Sequence, residues 1–263
     1  MPMLFIFGLG YSASHLAQTL RVQGWDIVST GSAGSLRFDD TASVRLALAE
    51  ATHILSSVPP MADGDPVLRD YGAALDAVAA RGAWIGYLSS TGVYGDTKGA
   101  WVDESGPIRG RRANRNAADL DWQALGARVF RLPGIYGPGR SALDRVAEGR
   151  AHCIDLPDQV FSRIHVDDIV SGVIAGMTGP AGVYNLSDDL PCGQNEVIRH
   201  ACDLLGLPHP PVQTMDEAGL SPMARAFYAE NRRVANLKAK RMLGWAPRYP
   251  DYQSGLAACY QAA

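Results

Sequence analysis

The chain has 263 residues, 47% of them apolar and 19% charged, and a formal net charge of −3. That length and apolar content suit one large unit with a sizeable core, while the slightly acidic balance excludes the basic footprint of a nucleic-acid or acidic-membrane binder. Cys153, Cys192, Cys202 and Cys259 show no C-x-x-C spacing, so neither a disulfide framework nor a zinc site is expected and a reducing, cytoplasmic setting is.

Met1 to Phe7 is shorter than a signal peptide and reads as the first strand, and no apolar stretch nears the roughly 20 residues of a membrane span. Gly8-Leu9-Gly10-Tyr11-Ser12-Ala13 follows as a glycine turn. Ala13, Leu16, Ala17 and Leu20 then fall at helical spacing, and Gly24 supplies a stop. A strand, tight turn and helix in this order is what a dinucleotide diphosphate needs. Gly8 permits the turn, Gly10 clears a side chain where backbone approaches phosphate, and Ala13 lets the helix pack close to the strand. The helix start at Tyr11, Ser12 and Ala13 offers free N–H groups to the anion.

Further strands are expected over residues 25–30, 52–58, 83–89 and 127–132, with Ala-rich helices over 71–80 and 112–125 between them. This alternation predicts an α/β fold, a doubly wound parallel Rossmann sheet with a small C-terminal α+β lobe. Residues 1–165 form the expected nicotinamide-dinucleotide domain, with later segments returning to it. Residues 166–263, where short elements are separated by Gly and Pro, form the lobe and closing helices. Ligands in such sheets sit at the carboxyl ends of strands, so the loops after Phe7, Thr30, Val58, Ser89 and Leu132 are the ones expected to carry function.

Several segments resemble one family across nearly the whole chain. Leu88-Ser89-Ser90-Thr91-Gly92-Val93-Tyr94-Gly95 is similar to an S-S-x-x-V-Y-G segment, and Arg131-Leu132-Pro133-Gly134-Ile135-Tyr136-Gly137-Pro138-Gly139-Arg140 to R-x-x-x-x-Y-G-P-G-R. Arg163-Ile164-His165-Val166-Asp167-Asp168-Ile169-Val170 matches an I-H-V-D-D element. Val183-Tyr184-Asn185-Leu186, Arg233-Val234-Ala235-Asn236 and Leu243-Gly244-Trp245 match later ones. Together these resemble the extended short-chain dehydrogenases/reductases, the NAD-dependent epimerase/dehydratase family. Ser57-Val58-Pro59-Pro60 and the reduced tail are most similar to its small, atypical YeeZ-like subgroup.

The resemblance fails at one decisive place. Members carry a Tyr and a Lys four residues apart on one helix face, where the Lys holds the nicotinamide ribose and the phenol exchanges a proton. Here no Tyr occurs between Tyr94 and Tyr136 and no Lys between Lys98 and Lys238. With Asp119 in the place of the acid that follows the pair, Arg111 stands at the Tyr position and Arg115 at the Lys position. Guanidinium keeps its proton. Arg115 is therefore a candidate for the ribose hydroxyls and Arg111 for a substrate carboxylate or phosphate, unless both simply begin a solvated helix. Tyr94-Gly95-Asp96-Thr97-Lys98 spells Y-x-x-x-K, but its Gly and Asp favour a turn, so the pair is read as a decoy. Tyr94 stays a candidate acid/base only as a phenol beside the cofactor.

By resemblance Ser90 hydrogen-bonds the reacting oxygen, Pro133 and Ile135 flank the carboxamide, and Val58 and Pro59 border the cofactor. Arg140 and Arg163 face an anionic group of a small-molecule substrate. His165 reads as a structural histidine, and Asp167 as the N-cap of the next helix. Ser29-Thr30-Gly31-Ser32 lacks the acid that NAD enzymes place there, and the hydroxyls of Thr30 and Ser32 suit a 2′-phosphate, so NADP is preferred over NAD. Asp39 either reaches the adenine amino group or shares a helix-capping role with Asp40. Metal is not expected, and pairing into a homodimer is implied by the resemblance alone. Two functions stay open: an oxidoreductase or epimerase on a sugar-like or polyol substrate with a non-standard site, and a non-catalytic cofactor-binding sensor.

Overall fold

In the computed structural model, which describes residues 1–262, the opening apolar run becomes a strand buried along its whole length, β1 (Met3–Phe7). It lies inside a parallel sheet with β2 (Asp26–Ser29), β3 (His53–Ser56), β4 (Trp84–Ser90), β6 (Arg128–Leu132) and β10 (Gly182–Asn185). The order is β10-β6-β4-β3-β1-β2. Unbroken apolar runs are the signature of strands covered on both faces. Phe5 and Phe7 pack on one side, Leu4 and Ile6 on the other, as the two-residue period requires.

Helices α2 (Thr41–Glu50), α3 (Pro66–Ala80) and α4 (Ala113–Ala124) cover the first face with Val44, Leu48, Tyr71, Leu75 and Trp122. On the second face α1 (Tyr11–Val22), α6 (Val166–Thr178) and α9 (Leu237–Leu243) contribute Leu16, Leu20, Ile169, Val173 and Ala239. The lobe is a separate cluster of α5 (Ala142–Ala147), α7 (Gln194–Leu205) and α10 (Tyr252–Gln261). Short parallel pairs lie outside the main sheet: β5 (Trp101–Val102) with β12 (Arg233–Val234), β7 (Gly134–Tyr136) with β9 (Arg163–His165), and β8 (Cys153–Ile154) with β11 (Val212–Gln213). α8 (Pro222–Phe227) contributes Phe227 to a cavity wall shared with the lobe, and none of its described residues belongs to the lobe core. Residues on both sides of position 165 thus build the Rossmann layers, and the lobe draws on α5 as well as on later helices.

Two helix starts differ from the sequence reading. α3 begins at Pro66 instead of residue 71, because the Asp65 carboxylate accepts from the N–H of Val67 (2.9 Å) and Leu68 (3.1 Å) and proline fits the first helical position. α6 is capped by His165, not by Asp167. His165 Nδ1 accepts from the Asp167 N–H at 3.2 Å, and Asp167 lies within the first turn.

A buried ion pair joins α4 to the sheet. Arg131 on β6 donates to Asp119 through Nε (3.1 Å) and Nη2 (2.7 Å), with both side chains almost fully enclosed. Ser89 and Gln123 also donate to this carboxylate, at 2.5 and 2.6 Å. Removing one partner from such a pair strands a charge in the interior. Asp119→Ala is therefore expected to lower stability by about 3–5 kcal/mol in urea unfolding. A loss below about 1 kcal/mol would show that the pair carries no such weight.

Candidate functional site

The glycine turn is held by its neighbours. Gly8 sits at φ +81°, and a Cβ there would lie 2.9 Å from Val58 Cγ2, so no larger residue fits. Ser57 Oγ donates to the Gly8 carbonyl, and Thr30 Oγ1 accepts from the Gly8 N–H at 3.2 Å. Gly10 faces open space, with no atom within 4 Å of the position a Cβ would take. It precedes α1 with no side-chain cap and no acid in the first turn. A backbone cradle left open at an uncapped helix start suits a dinucleotide diphosphate in shape and in charge. Ser12 and Ala13 are buried against the sheet, while the Tyr11 hydroxyl donates to the Pro138 carbonyl at 3.0 Å and ties the turn to the loop before α5. Val58 packs against the turn; Pro59 is exposed beside it.

At the β2 end, Thr30 is buried and its hydroxyl oxygen accepts from the Gly8 N–H, which ties the strand end to the glycine turn. Ser32 is exposed. Asp39 is held by a two-pronged ion pair with Arg37, at 2.9 and 2.8 Å, and Asp40 alone caps α2 by accepting from the Ser43 N–H. The expected adenine contact of Asp39 thus meets a carboxylate already engaged by a guanidinium.

Four of the singled-out residues, Ser90, Arg111, Arg115 and Pro133, line one cavity of about 410 Å³ at the strand edge, joined there by Phe227 and Glu230. Ser90 Oγ accepts from the Gly92 N–H at 3.1 Å, which leaves its own proton free to donate. Arg115 is half-buried, and its guanidinium has no hydrogen-bond or ion-pair partner among the described residues. Burial, reinforced by Arg112, pulls its guanidinium down from the ordinary value. Arg111 is engaged: Nε donates to Glu230 Oε1 (2.7 Å) and Nη2 to the Ala226 carbonyl (2.9 Å). Arg232 holds the other Glu230 oxygen at 2.7 Å. Burial pushes the Glu230 carboxyl up, but the two guanidiniums outweigh it and hold it below its usual range.

A second cavity of about 310 Å³ is lined by Ile135, Arg140, Arg145, Arg163 and Tyr252, and shares Gly134, Phe161 and Phe227 with the first. Arg140 is exposed, its guanidinium 5.4 Å from the Tyr11 ring centre. Arg163 is buried and largely committed. Nη1 donates to the carbonyls of Phe161 (2.9 Å) and Cys192 (3.2 Å), and Nη2 to Gln194 Oε1 (3.0 Å). It borders the cavity chiefly as a fixed structural cation.

The acid/base role of Tyr94 is corrected. Its ring is buried, its hydroxyl donates to Asn185 Oδ1 (2.7 Å) and accepts from Arg131 Nη1 (2.9 Å), and burial pushes it up to about 12. Lys98 lies in the following turn at φ +53°, away from any helical face shared with Tyr94. Sequence reasoning missed Phe161, Phe227, Glu230, Arg145 and Arg232. None belongs to a quoted motif, and Phe227 and Glu230 are held at the cleft by contacts with distant residues: Phe161 stacks on Phe227, and Arg111, Gln159 and Arg232 bond to Glu230.

No family model matches the chain. A conserved protein of unknown function from Silicibacter pomeroyi superposes with TM-score 0.89 at 42% identity, over 100% of this chain and 99% of that one. dTDP-glucose 4,6-dehydratase from Bacillus anthracis, solved with NAD, gives TM-score 0.78 at 16% identity over 99% of this chain and 96% of that one. The human epimerase family protein SDR39U1 with NADPH gives 0.79 at 15% over 99% and 100%. Among curated proteins, YeeZ of Escherichia coli is 24% identical over 95% of this chain and 97% of its own. A Streptomyces 3-diazoavenalumate denitrifying reductase is 31% identical over 144 residues, 50% of this chain and 46% of that one, so the match spans about half of each. The layers and strand order are thus the fold shared by that dehydratase and the human epimerase family protein. The chain belongs to one family with the Silicibacter pomeroyi protein.

Two expectations follow from this geometry. Arg111→Ala should release the segment over the cleft, raising amide exchange at residues 224–230 by about tenfold; unchanged exchange would show that Arg111 is not the fastener. Asp188, beside Arg163, has one carboxylate oxygen with no partner among the described residues, and burial pushes it up to about 8 despite the opposing pull of Arg163. The folded state therefore keeps a proton that the unfolded chain sheds near pH 4, so stability falls as pH rises towards 8. Asp188→Asn is expected to flatten the fall in melting temperature between pH 5 and 8; parallel curves for the two proteins would contradict it.

Proposed function

We propose that the protein is a nicotinamide-dependent oxidoreductase, preferring NADP, that acts on a small anionic substrate in the cleft between the strand edge and the lobe. The observation that carries this reading is the meeting of Ser90, Pro133 and an unpartnered Arg115 in one cavity. When bound, the nicotinamide supplies or accepts a hydride. Ser90, its oxygen already accepting from Gly92, donates a hydrogen bond to the reacting oxygen and keeps its proton. Arg115 holds the ribose hydroxyls and leaves a fixed positive charge at the site, worth more in a partly dry cleft than in water. Neither Arg115 nor the enclosed Tyr94 cycles a proton at neutral pH, so proton exchange runs through solvent.

The absence of a carboxylate in Ser29-Thr30-Gly31-Ser32, the exposed Ser32 and the nearby Arg37 favour the 2′-phosphate. The Streptomyces relative is named a reductase, in keeping with reductive chemistry. Four free, buried thiols and no helix among the described residues long and apolar enough to cross a membrane are in keeping with a cytoplasmic setting.

The test is a panel of carbonyl, sugar and acid substrates followed at the nicotinamide absorbance. Turnover that disappears in Ser90→Ala, with cofactor affinity lowered more by Arg115→Ala than by Arg112→Ala, is the expected result. Tight NADP binding with no turnover anywhere in the panel would replace this reading with a cofactor-binding regulator.

A further inference from the structure

The second cavity carries chemistry of its own. Arg140, Arg145 and Arg163 line it, and no Asp or Glu does. Arg163 is 7% exposed and fixed by hydrogen bonds to Phe161, Cys192 and Gln194, so its position is set before any ligand arrives. Arg145 is exposed at the end of α5, and its guanidinium has no hydrogen-bond or ion-pair partner among the described residues. One wall is flat and apolar: Phe161 and Phe227 stack with ring centres 4.3 Å apart at 9°. Tyr252 contributes a third ring. At about 310 Å³ the space lies at the small end of ligand cavities and accommodates a single-ring body.

We propose that this compartment binds a compact aromatic or conjugated carboxylate, its ring against the Phe161–Phe227 wall and its carboxylate met by Arg145 and Arg140. The proposal rests on the oxidoreductase reading and narrows its substrate from the sugar-like class to a planar acid. Arginine meets a carboxylate through two parallel hydrogen bonds, and a planar apolar body suits stacked rings. Gly134, Phe161 and Phe227 border both cavities, so a ligand seated here extends towards Ser90.

The test measures binding, not turnover, on the full chain saturated with NADP. Calorimetric titrations use cinnamate, cyclohexanecarboxylate, inorganic phosphate and UDP-glucose as probes. Cinnamate is expected to bind about tenfold more tightly than cyclohexanecarboxylate and to lose about tenfold in Arg145→Ala. Arg145 is exposed, and an unchanged melting temperature and NADP affinity establish that the variant is folded. Phe227→Ala, a substitution at another exposed position, should erase the preference for the planar acid. UDP-glucose or phosphate binding more tightly than cinnamate, or cinnamate affinity indifferent to Arg145→Ala, overturns the proposal. The two readings fail separately. Loss of NADP affinity in the wild-type chain sinks the oxidoreductase reading, whereas NADP binding without cinnamate binding sinks only this one.

Discussion

The Arg131–Asp119 pair is the constraint on which the cleft is built. Burying two charges is costly unless every remaining donor and acceptor is met. Here they are met from four elements: Ser89 of β4 and Gln123 of α4 donate to Asp119, while Arg131 of β6 also donates to Tyr94. Tyr94 passes the connection to Asn185 at the end of β10, whose Nδ2 donates to the Ala235 carbonyl at 3.0 Å. One continuous set of hydrogen bonds therefore fixes how far α4 stands from the strand ends and where the closing segment after β12 begins. A partly satisfied network in this position would leave those distances loose; a satisfied one makes them a property of the fold.

The consequence appears four residues back along α4. Arg115 and Asp119 lie one helical repeat apart and share a face. The lower position is locked into the sheet, and the upper one stands at the cleft. Arg111, just before the helix begins, crosses to the lobe and takes hold of Glu230 and the Ala226 carbonyl. The same stretch that carries a proton-exchanging pair in the resembled family here carries a buried anchor, an unpartnered cation and a fastener. The scaffold keeps its positions, and the residue types change what those positions can do.

Much of this architecture was legible in the residues, because strands covered on both faces write themselves as unbroken apolar runs. β1, β3, β4 and β6 all fall within a residue or two of their expected ranges. The glycine turn was equally readable, since Gly8 answers a local demand of φ and of space. Contacts between distant segments were not. The cap of α6 came from His165, where an Asp two residues on looked the better candidate, because a ring nitrogen placed by a neighbouring strand can accept the same N–H. Tyr94 looked available in its motif and is enclosed by Arg131 and Asn185, which lie 37 and 91 residues away. Phe227 and Glu230 sit in a stretch with neither apolar period nor motif, and contacts from Arg111, Gln159 and Phe161, all distant in sequence, give them a place in the cleft.

Charge explains why the two cavities act as one surface towards ligands. Seven arginines border them against a single carboxylate, Glu230, which is itself neutralised by two of the seven. The chain as a whole is acidic at −3, so the positive field belongs to the cleft and not to the molecule. Concave, low-dielectric walls focus such a field and draw anions inward over distances of about a Debye length, roughly 8–10 Å at ordinary salt. A cofactor diphosphate at the glycine turn compensates part of that charge at one end. The unpaired guanidiniums of Arg115 and Arg145 are left for groups arriving at the other. Because neither guanidinium gives up its proton at any ordinary pH, the two positions hold a fixed positive charge and cannot take over the proton exchange that a phenol performs at the equivalent stretch of the resembled family.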